Sequence, residues 1–207
     1  MSKEKISPFT SLGASNHYGD REKDDFYSTP KIAVEKLINI LEKYNINLAD
    51  NIIDPGVGSG GILNSLMEKY PNKIYFAFDI KDRGFSKGVN VIDFLTIDRN
   101  KIMPDADNKN ISIVANFPYK DILNQSIHSL EILKEGEYLI HLAKIQYLEG
   151  KARRELFKEN PPKYVFIFSD RIKCLNNDID DGSSSAMCFA WFVFEKGFKG
   201  SPTIDWL

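Results

Sequence analysis

The four residues Asn116-Phe117-Pro118-Tyr119 stand directly after an apolar run, Ile111–Ala115. Their types suit transfer of an electrophilic group to a planar, conjugated amine such as the exocyclic nitrogen of adenine. That nitrogen is a poor nucleophile because its lone pair is delocalised into the ring. A site that uses it must hold both amino hydrogens on acceptors and aim the freed lone pair at the electrophile, which is positioning and electrostatics more than proton abstraction. Asn116 offers a side-chain carbonyl, and the main-chain carbonyl of Phe117 is the second acceptor. Pro118 stiffens the turn and brings no competing N–H. Tyr119 supplies a flat face for a base taken out of its stack.

A second constellation lies earlier in the chain. Asn51-Ile52-Ile53-Asp54 reads as a short strand running into Pro55-Gly56-Val57-Gly58-Ser59-Gly60-Gly61, which contains GxGxxG, and Asp79 follows at the end of the next apolar run. This is the pattern of a nucleoside-bearing cofactor, with an acid placed for ribose hydroxyls and glycines that let the backbone approach the ligand. Asp54 separates the candidates. A carboxylate at this point repels the pyrophosphate of a dinucleotide but attracts the sulfonium and ammonium of S-adenosyl-L-methionine. The expected cofactor is therefore S-adenosyl-L-methionine, held by Asp54, Pro55, Gly56, Gly58, Gly60 and Asp79. Asp93 can accept from an adenine amino group while Phe94 packs on the ring. A nicotinamide oxidoreductase rests only on GxGxxG, and a ligand-free glycine turn is the bland alternative.

The elements that must position these groups alternate in type. Thr29 as N-cap and Pro30 in the first turn start a helix carrying Ala33, Val34, Leu37, Ile38 and Leu41 at helical spacing. After the Asn51–Asp54 strand and a helix on Ile62, Leu63, Leu66 and Met67, strands are expected at Lys73–Ile80, Val89–Leu95, Ile111–Ala115 and Tyr138–Ala143. Helices are expected at Ile122–Leu133 and Gly150–Lys158. Tyr164–Phe168 and Met187–Glu195 read as a final strand pair across the acidic, Ser-rich loop Asn176–Ser185. The fold class is α/β: a single Rossmann-like domain with a mostly parallel, doubly wound sheet and an antiparallel edge hairpin. Residues 1–25 read as a polar arm or lid, and residues 26–207 as the domain.

Composition adds bounds. The chain has 207 residues, 43% of them hydrophobic, enough for one well-buried domain. Its apolar runs are too short to cross a bilayer and no apolar signal core follows Met1, so a cytoplasmic protein is expected. Cys174 and Cys188 show no metal spacing and read as reduced, half-buried thiols. His17, His128 and His141 read as surface or packing residues, and no metal is assigned. The net charge of −2 decides nothing about nucleic acid. Between Lys144 and Lys163, however, Lys144, Lys151, Arg153, Arg154, Lys158 and Lys163 outnumber Glu149, Glu155 and Glu159. This segment is either a phosphate-binding patch or a solvated helix face.

The joint pattern resembles a known family. Asn116-Phe117-Pro118-Tyr119 looks like the (Asn/Asp)-Pro-Pro-(Tyr/Phe) motif of amino-methyltransferases, and Asp54–Gly60 resembles their cofactor loop. Phe26-Tyr27-Ser28-Thr29-Pro30 is similar to the motif with which these enzymes cover the methionine end of the cofactor, which places Tyr27, Thr29 and Pro30 in the cofactor set. Gln146–Arg154 and Ala190–Gly197 resemble segments of small phage and prophage adenine methyltransferases, so the likeness spans roughly residues 15–207. It implies methyl transfer to N6 of a flipped-out adenine, with DNA favoured over RNA and Lys144, Lys151, Arg153 and Arg154 on the nucleic acid. Phe117 stands where the first Pro is usual, as in the rRNA adenine dimethylases, so RNA remains the alternative polymer. A non-catalytic binding module that kept the fold also remains. No separate target-recognition domain is expected, and oligomeric state is not indicated.

Overall fold

The computed structural model describes residues 27–172, 174–176 and 187–207. The expected arm at 1–25, Phe26, His17 and loop residues 177–185 lie outside these residues. The described chain runs β1 (Tyr27–Ser28), α1 (Lys31–Lys43), β2 (Asn51–Asp54), α2 (Gly61–Lys69), β3 (Ile74–Asp79), β4 (Asn90–Val91), α3 (Arg99–Ile102), β5 (Ile111–Ala115), α4 (Ile122–Ile132), β6 (Tyr138–Lys144), α5 (Lys151–Glu159), β7 (Tyr164–Ile167), β8 (Leu175–Asn176), β9 (Phe189–Glu195) and β10 (Thr203–Trp206).

Eight strands form one sheet in the order β10-β7-β9-β6-β5-β2-β3-β4. Strands β4, β3, β2, β5 and β6 are mutually parallel, and β9 runs antiparallel to both β6 and β7. The expected α/β fold and terminal antiparallel pair are therefore present. An additional strand, β10, extends the sheet beyond β7 and runs parallel to it. Strands β2 and β5 are buried at every residue, as a sheet covered on both faces requires. On one side α1 and α2 bury Ala33, Val34, Leu37, Leu63 and Leu66 with Ile52, Val114 and Trp191. The other side collects Ile53, Phe94, Ile113, Phe117, Leu139 and Phe192. The Trp191 indole N–H donates to Ala33 O at 3.0 Å, tying β9 to α1.

Three local expectations change. Thr29 does not cap α1: the N-cap is Pro30, extended at φ −68° and ψ 145°, and Thr29 is turned inward and buried. The strand expected at Val89–Leu95 shrinks to Asn90–Val91. After it, Asp93 accepts from Leu95 N and caps a short 3-10 turn, Phe94–Thr96, because its side chain competes for the backbone at the point where pairing would continue. Of the two thiols, Cys174 is half-buried but Cys188 is exposed.

The amino ends of the strands are held by one buried ion pair. Arg99 and Glu137 meet through two 2.7 Å bonds, and Glu137 also accepts from Ile111 N at 2.9 Å and Lys134 N at 2.7 Å. Arg99 further donates to Ile132 O and Lys109 O. This single contact fixes α3, the start of β5 and the turn into β6. Replacing Glu137 with Ala takes this carboxylate from the buried Arg99 guanidinium and should cost about 3–5 kcal/mol. Urea unfolding should show a lowered midpoint, and a change near zero would show that the pair is not structural.

Candidate functional site

Parallel pairing brings the ends of β2, β3 and β5 to one edge of the sheet, where a cleft opens. It is lined by Tyr27, Ser28 and Thr29, by Asp54, Pro55 and Gly56, by Asp79, Asp93 and Phe94, and by Asn116, Phe117 and Pro118. Residues assigned separately to a cofactor and to chemistry thus share one wall-to-wall space. Pro30, Gly58, Gly60 and Tyr119 do not line it.

The glycines divide by task. At Gly56 a side chain would meet nothing within 4 Å, so this position opens on the cleft. Gly58 donates its N–H to Asp79 Oδ2 at 2.9 Å and so locks the loop to the end of β3. Gly60 has φ +94°, and a Cβ there would lie 2.3 Å from the Phe85 ring, so it serves packing and not a ligand. Gly61 lines the cleft, and a Cβ on it would come within 2.5 Å of Thr29 O, so its bareness lets the entry segment lie against the loop.

Asp54 is 1% exposed and accepts from Gly56 N at 3.1 Å. Burial pushes its carboxyl up to about 8, the Gly56 bond opposes this, and the Asp79 charge adds to it. A buried acid of this kind gains from a cation placed beside it. Asp79 accepts from Gly58 N and Lys81 N and lies 3.8 Å from Arg83 Nε. Arg83 and Ile80 both line the cleft, and Ile80 is 57% exposed there, offering a flat ring an apolar face. Neither was singled out from sequence, although an isoleucine directly after a strand-end acid is a usable signal. Phe94 is 1% exposed and packs on Phe78 and edge-on against His128, so it offers a rim and not a free ring face.

Asn116 is oriented by the entry segment. Its Nδ2 donates to Tyr27 O at 3.0 Å, while its Oδ1 is buried with no partner among the described residues. Such an acceptor is costly to leave unmet, and Asn116 lines the cleft where a donor could meet it. Phe117 turns its ring into the core, 5.6 Å from His141, and Pro118 O already accepts from Asp121 N. The Phe117 carbonyl is therefore the main-chain acceptor nearest in sequence that remains for a substrate. Tyr119 stands behind this pair, its ring 5.5 Å from Tyr27 and 6.5 Å from Phe189, with Lys144 Nζ 4.5 Å from its centre. His141 is fully buried between Phe192 and Phe194, and burial pushes it down to about 3, so it is a neutral packing residue. Burial pushes the Cys174 thiol up to about 12, which leaves it inert.

The basic segment is only partly available. Lys151 and Arg154 are exposed on α5. Arg153 donates to Gln146 O and Glu149 O and lies over the Tyr147 ring, so it closes the turn before α5. Lys158 pairs with Glu155, and Lys163 with Glu195. No group of His, Cys, Asp and Glu able to hold a metal occurs among the described residues, and no described helix is long and apolar enough to cross a membrane.

The raised Asp54 carboxyl has a definite linkage. The folded protein holds a proton there that the unfolded chain releases near pH 4, so stability falls as pH rises from about 4 to about 8 and levels off above. Asp54→Asn should remove this slope. Urea unfolding at pH 5, 6.5 and 8 should show the variant gaining on the parent protein at each step. A constant difference would mean that Asp54 is ionised throughout.

No family model matches the sequence. Over 125 residues it is 30% identical to a release factor glutamine methyltransferase of Flavobacterium psychrophilum, a match covering 55% of this chain and 42% of the relative. The chain thus spans less than half the length of that curated relative. Among solved structures it is similar to a class I S-adenosylmethionine-dependent methyltransferase of Listeria monocytogenes, with TM-score 0.59 and 13% identity over 86% of this chain and 64% of the other. It is also similar to a type I restriction-modification methyltransferase subunit of Streptococcus thermophilus, with TM-score 0.60 and 14% identity over 84% of this chain and 45% of the other. The chain has the fold of class I S-adenosylmethionine-dependent methyltransferases.

Proposed function

We propose that the protein transfers a methyl group from S-adenosyl-L-methionine to the exocyclic amine of adenine in DNA. The observation that carries this reading is Asn116, whose Nδ2 is tied to Tyr27 O while its Oδ1 stands buried and unmet beside the cleft. Asp54 fits the cationic end of the cofactor, Asp79 the ribose, and Gly56 the close approach of backbone to ligand. Bound there, the cofactor supplies a methyl group on a sulfonium, which needs only an aligned lone pair to accept it. Asn116 Oδ1 accepts a hydrogen bond from one N–H of the target amine and Phe117 O from the other. Together they draw the nitrogen out of conjugation and point its lone pair into the cleft. After transfer the methylated nitrogen releases one proton to solvent and the thioether product departs. Tyr119, packed against Tyr27, stiffens the tetrapeptide from behind.

DNA is favoured because a restriction-modification methyltransferase subunit shares the fold, and Lys144, Lys151 and Arg154 supply cations beyond the tetrapeptide. A second reading has its own support. The 30% identical relative is named for methylating glutamine, whose side-chain amide is also a planar NH2 with a delocalised lone pair. The same two acceptors would serve it, with a protein as substrate.

Labelled S-adenosyl-L-methionine offered with DNA, RNA and protein fractions separates these readings, with mass spectrometry of digests identifying the product. The expected result is N6-methyladenine in DNA, lost by a factor on the order of 100–1,000 in Asn116→Ala. Label confined to RNA or to glutamine would transfer the activity to that substrate. Full activity in Asn116→Ala would remove the proposed chemistry.

A further inference from the structure

Resting on the reading of the cleft as a site for S-adenosyl-L-methionine, we propose that Gln125 is a further cofactor-binding residue. Its side-chain carbonyl accepts a hydrogen bond from the amino group of the cofactor's adenine, beside Asp93 at the same edge of the ring.

Gln125 lies in the second turn of α4 and lines the cleft, and its Oε1 is buried with no partner among the described residues. It shares a helix face with His128, three residues on. That face is fixed against the turn after β4: His128 Nε2 lies 2.9 Å from Ile97 O, and the His128 ring meets Phe94 edge-on at 5.1 Å. Gln125 is thus carried on the same wall as Asp93, Phe94 and Leu95, all of which line the same space.

The other unmet demands of the cleft lie elsewhere. Asp54 and Asp79 end β2 and β3, and Asn116 belongs to the transferring end. What remains at the wall formed by α4 and the 93–95 turn is one exposed carboxylate and one orphaned amide carbonyl, with Ile80 as an apolar surface. Asp93 spends Oδ1 on Leu95 N, which leaves Oδ2 to accept. An adenine amino group has two hydrogens and satisfies both acceptors at once. A 6-oxo purine presents a lone pair instead: the Asp93 carboxylate has no donor and repels it, and Gln125 meets it only by turning its amide over. Two acceptors that together favour an amine over a carbonyl make the pocket selective for the adenine nucleoside.

The test is calorimetry with S-adenosylhomocysteine and with its deaminated analogue, S-inosylhomocysteine, on the full chain without nucleic acid. The parent protein should bind the amino form at least about tenfold more tightly. Gln125→Leu should weaken the amino form by about tenfold and change the inosyl form less than about twofold. A merely structural role would weaken both alike, and that outcome overturns the proposal. So does equal binding of the two ligands by the parent protein, which needs no variant. Unchanged affinity of Gln125→Leu for both ligands also overturns it, while the cofactor reading stands. If the parent protein binds neither ligand, the cofactor reading fails and takes this inference with it.

Discussion

The parallel register of β3, β2, β5 and β6 is the constraint on which the site depends. Asp54 pairs with Ala77, Ile53 with Ile113, and Ala115 with His141, so all these strands end at the same edge. Parallel strands return through crossovers and not through hairpins, so each delivers a fresh loop to that edge. The glycine loop, the Asp79 turn and the Asn116 tetrapeptide are consequently neighbours although they lie far apart in sequence. At the opposite edge Arg99 and Glu137 hold the strand starts with charge-assisted bonds, leaving the carboxyl ends to carry chemistry.

Within the cleft the protein accepts unfavourable arrangements that a ligand would relieve. Asp54 is buried without a cation, and Asn116 and Gln125 each bury a carbonyl oxygen without a donor. Elsewhere Ser112 accepts from Ala49 N and Tyr147 bonds Ser126, while Asn51 Oδ1, Ser129 Oγ and both ring nitrogens of His141 are buried without a partner among the described residues. Asp54, Asn116 and Gln125 are set apart by lining one open space, where a ligand can meet them. The entry segment belongs to the same economy of contacts. Tyr27 supplies the carbonyl that orients Asn116 and pairs across β1 with Asn176, so the entry segment and the tetrapeptide are tied together.

The freely exposed basic surface is narrower than the count of bases between Lys144 and Lys163. Arg153 closes a turn, while Lys158 and Lys163 sit in ion pairs. Lys144 stands over Tyr119, where a cation meets the negative face of a ring. This leaves Lys151 and Arg154 as exposed bases of α5 outside the ion pair that Lys158 makes with Glu155.

The sequence by itself determined the order of elements, the parallel α/β class, the glycine loop with its strand-end acids, and the tetrapeptide. These are local patterns: period, turn residues and short spacings read directly from residue types. Only the tertiary structure decided how each residue is used. Gly60 serves Phe85 and Gly61 serves Thr29, a distinction that depends on what a missing Cβ would strike. Thr29, a natural cap by type, faces the cleft because Pro30 takes the cap position. Phe94 became core, Arg153 became a turn clasp, and β10 extended the sheet. Gln125 carries no motif and emerged only because its helix face is pinned to the 93–97 turn. Contacts between segments far apart in the chain leave no mark in local spacing, and these contacts set which acceptors remain free to do chemistry.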